Sequence, residues 1–77
     1  MKGGKSRLRN RVRELRFHAG EMTQAELAER AGVTRQTIAA IEKNRYAPSL
    51  ETAFLIAEAF RLPIGEVFSF ASEGEAG

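Results

Sequence analysis

Apolar residues recur along the chain three and four apart, the spacing of helices that each bury one stripe. Leu8, Val12 and Leu15 mark the first stripe and predict a helix from Ser6 or Lys5 to Ala19, with basic residues outward and Gly20 as its stop. Thr23-Gln24-Ala25-Glu26 reads as a capping box that starts a second helix at Gln24, whose inner face is Leu27, Ala28 and Ala31 and whose end is Gly32. Thr34 is the next N-cap, so a third helix runs from Arg35 to about Lys43 with Ile38 and Ile41 inward, and Asn44 takes the left-handed position after it. Ser49 caps a fourth helix that buries Leu50, Ala53, Ile56, Ala57 and Phe60 until Leu62-Pro63 breaks it. A short fifth helix from about Ile64 to Phe68 adds Ile64, Val67 and Phe68 to the core.

The expected architecture is therefore an all-α bundle of five helices, with a flexible basic arm over residues 1–5, one domain over 6–70 and a disordered acidic tail over 71–77. A chain of 77 residues holds one small core, and without Cys it has no disulfide or thiolate metal site to reinforce it. A second subunit is then the expected source of additional stability. Phe54, Leu55, Phe68 and Phe70 are the candidate dimer contacts, lying late in the chain and away from the third helix.

The formal charge of +2 conceals a division: residues 1–46 carry 11 basic and 5 acidic side chains, whereas residues 47–77 carry 1 basic and 5 acidic ones. The first part is thus +6 and the second −4, an asymmetry that points to an anionic partner for the basic half. Charge alone does not separate DNA from RNA or a membrane surface. No apolar stretch approaches the roughly 20 residues of a membrane span, and the N-terminal Met1-Lys2-Gly3-Gly4-Lys5-Ser6 lacks the apolar run of a signal peptide, so a soluble cytoplasmic protein is expected. His18 is the sole histidine and the chain has no Asp, so neither a metal site nor a catalytic constellation is expected. No cofactor or small-molecule site is visible, and an enzyme is excluded on the same grounds.

Two capped helices joined by a short turn, the second presenting Arg35, Gln36 and Thr37 in its first turn, form a helix-turn-helix pattern. Ala28 and Gly32 are small where the helices must approach, and Val33 plugs the turn. With Asn10-Arg-Val-Arg-Glu-Leu-Arg16, Ala40-Ile-Glu-Lys-Asn-Arg-Tyr-Ala-Pro-Ser-Leu50 and Pro63-Ile-Gly-Glu-Val-Phe68, the pattern resembles the phage-repressor and Cro-like (XRE) helix-turn-helix regulators of the short, single-domain prokaryotic type. Glu21 lengthens the first turn and Asn44 stands in place of the more frequent Gly, two departures from the family pattern.

The resemblance implies a lambda-repressor-like five-helix domain whose partner is double-stranded operator DNA, bound as a homodimer. It implies that Arg35, Gln36 and Thr37 face base edges in the major groove, with Ala40 touching at most a thymine methyl and Thr37 free to meet a phosphate instead. Thr23, Gln24, Thr34, Lys43, Asn44, Arg45 and Tyr46 are the implied phosphate contacts. Arg16 and Glu42 are the implied structural ion pair. Lys2 and Lys5 are candidate arm contacts, along phosphates or in a minor groove, and equally the solvated start of a helix. Repression is the simplest regulatory role. The alternatives are an antitoxin-like or accessory DNA-binding subunit that also holds a partner protein, and a protein-interaction or RNA-associated module.

Overall fold

A computed structural model describes residues 7–71 as a mostly helical fold of five helices and one two-stranded antiparallel sheet. In chain order these are β1 (Leu8–Asn10), α1 (Val12–His18), α2 (Gln24–Ala31), α3 (Arg35–Glu42), α4 (Leu50–Phe60), α5 (Ile64–Val67) and β2 (Phe68–Phe70). Residues 1–6 and 72–77, which hold the expected arm with Lys2 and Lys5 and most of the expected tail, lie outside the described residues.

The capping chemistry sets the helix ends. Thr23 Oγ1 accepts from the Glu26 N–H at 3.0 Å while Glu26 Oε1 accepts from the Thr23 N–H at 2.9 Å, a complete capping box. Thr34 and Ser49 accept in the same way from the N–H groups of Thr37 and Thr52. Helix α3 closes with the Asn44 N–H on the Ile41 carbonyl and the Arg45 N–H on that of Ala40, both at 2.9 Å, with Asn44 at φ +59°. This is the paired arrangement that satisfies two otherwise orphaned carbonyls. Arg61 ends α4 in the same way at φ +59°, where a glycine would be unstrained.

Two expectations fail at the chain ends. The first helix begins at Val12 rather than at Ser6 or Lys5, and the fold is not all-α, because Leu8–Asn10 pairs with Phe68–Phe70 in the register Leu8↔Phe70, Arg9↔Ser69, Asn10↔Phe68. Leu8, Asn10 and Val12 also fit the alternating period of a strand, so four-residue spacing from Leu8 to Val12 does not discriminate. The long-range ladder decides. It continues as Arg11 N–H to the Val67 carbonyl at 2.9 Å and as Ala71 N–H to the Arg7 carbonyl at 2.8 Å. Asn10 Oδ1 accepts from the Val12 N–H at 3.0 Å, starting α1 where the strand stops. Ala71, assigned by sequence to the tail, is thereby part of the fold.

The core gathers Val12, Leu15, Met22, Leu27, Ile38, Ile41, Ile56 and Val67 around the small residues Ala28, Ala31 and Ala57, and half-buried Val33, Leu55, Phe60, Ile64 and Phe68 pack against it. Helix α2 packs against both α3 and α4, with Ala28, Ala31 and Ala57 buried among the larger side chains. Leu50 departs from its expected burial and is 71% exposed, because as the first residue of α4 it precedes the turn whose inner face reaches the core.

Candidate nucleic-acid interface

Helices α2 and α3 are joined by Gly32, Val33 and Thr34, and Gly32 makes the bend at φ +73°. At about 100° per residue, Ile38 and Ile41 anchor one side of α3 while Gln36, Ala40 and Lys43 run along the opposite side, with Arg35 and Thr37 flanking them. Arg35 and Gln36 are exposed, and Thr37, Ala39 and Ala40 are half-buried. Thr34 Oγ1 and Thr37 Oγ1 lie 3.1 Å apart, so the two hydroxyls engage each other at the start of the helix.

The starts of α2 and α3 lie side by side. Gln24 Oε1 is 3.5 Å from Arg35 Nη1, a long contact, while Gln24 Nε2 donates to Glu42 Oε1 at 3.1 Å. Glu42 is held in turn by Arg16, through Nε to Oε2 at 2.6 Å and Nη2 to Oε1 at 3.2 Å, and Arg16 Nη1 donates to the Met22 carbonyl at 2.8 Å. The side chains of both charged partners are nearly covered, at 11% and 5% exposure, so the pair is short, bidentate and shielded from water. A chain of contacts therefore runs from α1 through the end of α3 to the start of α2 and on to Arg35. It also commits the N–H end of the Gln24 amide to Glu42, leaving the carbonyl end toward Arg35.

Thr23 serves its own helix, and the first-turn N–H groups that remain open on α2 belong to Gln24 and Ala25. On α3 they belong to Arg35 and Gln36, and no acidic residue lies in that first turn. Lys43, Asn44, Arg45 and Tyr46 form an exposed loop beyond α3, with Tyr46 53% exposed. Asn44 Oδ1 accepts from Asn10 Nδ2 at 3.1 Å, and the same Nδ2 donates to the Ile41 carbonyl at 2.9 Å. Asn10 thus joins β1, α1 and the end of α3. Sequence reading gave it no such role, although an Asn just before the first buried residue of a helix is an ordinary start signal.

The four candidate dimer residues divide. Phe54 and Phe70 are 52% and 68% exposed, whereas Leu55 and Phe68 are half-buried against the core. Leu50, Phe68 and Phe70 line an apolar groove of about 500 Å³ together with Leu8, Pro48, Ala53 and Ile64. None of its lining residues belongs to α2 or α3. Among the described residues no group of three or more His, Cys, Asp or Glu could hold a metal ion, and no helix is long and apolar enough to cross a membrane.

A helix-turn-helix family model matches residues 12–67, the span from the start of α1 to the end of α5. The chain is 52% identical over 68 residues to an uncharacterized HTH-type transcriptional regulator of Methanothermobacter thermautotrophicus, covering 87% of this chain and 97% of that protein. It is 47% identical over 66 residues to the HTH-type transcriptional regulator YgzD of Bacillus subtilis, covering 86% and 98%. An Archaeoglobus fulgidus regulator so described is likewise 47% identical over 66 residues, covering 86% and 93%. Matched over this span and with its two helices capped, bent and anchored as described, the chain belongs to the helix-turn-helix family, as a short XRE-like regulator.

Proposed function

We propose that this protein binds double-stranded DNA sequence-specifically as a homodimer and regulates transcription, most simply by repression through occupying an operator. The observation that carries the reading is the convergence of the α2 start and the outer face of α3 on one surface, with Gln24 and Arg35 in contact and four first-turn N–H groups open. Helix α3 lies in the major groove in this reading. Gln36, central on the exposed side, suits a bidentate contact to adenine, and Arg35 on the α2 side suits guanine O6 and N7. Thr37 takes a base edge or a phosphate, and Ala40 a thymine methyl.

The N–H groups of Gln24 and Ala25 hold one phosphate, aided by the Thr23 hydroxyl, and the Thr34 hydroxyl and the loop Lys43, Asn44, Arg45 and Tyr46 hold the flanking backbone. Because its amide N–H is engaged by Glu42, Gln24 contributes mainly through its backbone and by orienting Arg35. The exposed apolar side chains of Leu50, Phe54 and Phe70 support a two-fold contact between copies, which sets two copies of α3 about 34 Å apart, one turn of the duplex.

Selection of bound duplexes from a random pool, followed by titration against the selected duplex, scrambled duplex, single strands and structured RNA at fixed salt, tests this reading. The expected result is a pseudo-palindromic site preferred over scrambled duplex by roughly 10³-fold or more. Equal affinity for every duplex, or a preference for RNA, overturns it. Binding as a monomer together with a co-purifying small protein favours the accessory-subunit reading, in which the same apolar surface holds that protein.

A further inference from the structure

We propose that Arg13 and Phe17, on the exposed side of α1, form a further phosphate contact for the DNA backbone between the start of α2 and the 43–46 loop. This rests on the DNA-binding reading above. Arg13 and Phe17 lie four residues apart on one face of α1 and, with Asn10, Arg11, Glu14 and Glu42 of α3, border an open depression of about 500 Å³. Two of its lining residues are tied to elements of the interface: Glu42 to Gln24 at 3.1 Å, and Asn10 to Asn44 at 3.1 Å. The depression therefore adjoins both the start of α2 and the 43–46 loop.

Among the described residues, the charges around the depression leave one cation available. Glu42 is engaged by Arg16, and Glu14 by Arg11, whose guanidinium also reaches Glu66. Arg13 has no ion-pair partner among the described residues. Its guanidinium carbon instead lies 5.8 Å from the centre of the Phe17 ring, with that of Arg16 5.7 Å from the same ring. Phe17 is 52% exposed, in a protein whose small core has use for large apolar side chains. A ring in that position holds a planar cation by its quadrupole without neutralising it, so all the N–H donors of Arg13 stay available for an anion. A phosphodiester matches that fork better than it matches a lysine ammonium.

Salt titration of the full chain on the selected duplex and on a scrambled one, with Arg13→Gln, Phe17→Leu, Arg45→Gln and Arg30→Gln, tests the contact. Arg30 lies at the end of α2 beside Leu55 and Arg61, away from the interface, and serves as the neutral control. Arg13→Gln is expected to weaken both duplexes by the same factor and to reduce the slope of log affinity against log salt by about 0.9. The gap from the unsubstituted protein then narrows about threefold between 50 and 200 mM salt. Phe17→Leu is expected to weaken binding less, with the slope unchanged, since it frees Arg13 without removing its charge. Thermal melts followed by circular dichroism are expected to be unaltered by either change.

A slope for Arg13→Gln equal to that of Arg30→Gln, while Arg45→Gln lowers it, overturns the contact and leaves the DNA reading standing. A loss confined to the selected duplex also overturns it, since a phosphate contact carries no sequence. Salt-independent binding by the unsubstituted protein removes both the contact and the DNA reading.

Discussion

Arg61 and Asn44 share a backbone conformation and should respond differently to the same substitution. Both end a helix near φ +59°, where an L-residue is strained and Gly is not. Arg61→Gly should therefore raise stability by about 0.5–1 kcal/mol in urea titrations, since among the described residues no hydrogen bond of the Arg61 side chain offsets its strain. Asn44→Gly should gain nothing, because Asn tolerates this conformation and its Oδ1 accepts from Asn10. At the interface, Arg35→Ala should cost about 1–3 kcal/mol on the selected duplex and flatten discrimination at one base pair, read by competition with single-base variants. Glu14 responds to pH. Its carboxyl is held below the usual range by the hydrogen bond and charge of Arg11, so the pair contributes stability above that range and loses it as pH falls through the depressed value. Glu14→Gln and the unsubstituted protein should consequently have melting curves that converge in acid.

Elements are held in place by two polar joints of different kinds. The Arg16–Glu42 pair ties α1 to α3 in a covered setting, where removal of one partner strands the other charge. Arg16→Met alone should destabilise by about 3 kcal/mol or more, whereas Arg16→Met with Glu42→Leu should recover most of the loss, as seen in chemical denaturation. Recovered stability should not restore base discrimination, because Gln24 loses the acceptor that fixes its amide beside Arg35. The second joint is Asn10, which ends β1, starts α1 and caps the end of α3 with one side chain. Its roles at α3 were not legible, since two of its three side-chain partners lie 31 and 34 residues away.

At the scale of the whole molecule, the described residues 7–46 carry nine basic and five acidic side chains, a net +4 on the part that holds α1, α2 and α3, whereas 47–71 carry one basic and three acidic ones, a net −2 on the part that supplies α4, α5 and most of the groove. That polarity orients the approach to a polyanion as well as strengthening it. The groove is the surface on which assembly should be tested. Leu50→Glu with Phe70→Glu introduces charge at two exposed sites without touching the core. The unsubstituted protein should sediment as a dimer and the double variant as a monomer, and the variant should lose affinity for a two-half-site duplex far more than for a single half-site. Unchanged sedimentation and unchanged two-site affinity would place the copy-to-copy contact elsewhere.

The segments of α2 to α5, the N-caps of α2, α3 and α4 and the order in which they occur were legible in the sequence alone, because N-capping residues and apolar stripes are local features whose partners lie within a turn or so of helix. The helix-turn-helix pattern is built entirely of such features, which is why its turn, its anchors Ile38 and Ile41 and its exposed first turn could be read directly. Only the tertiary structure decided that Leu8–Asn10 is a strand, that Leu50 faces outward, and that the Gln24 amide turns its carbonyl toward Arg35. The strand depends on β2 and the Gln24 amide on Glu42, partners more than ten residues away, while Leu50 faces outward because the turn of α4 that meets the core lies after it. Periodicity carries no information about such partners, and the free energy that selects among locally equivalent conformations resides in them.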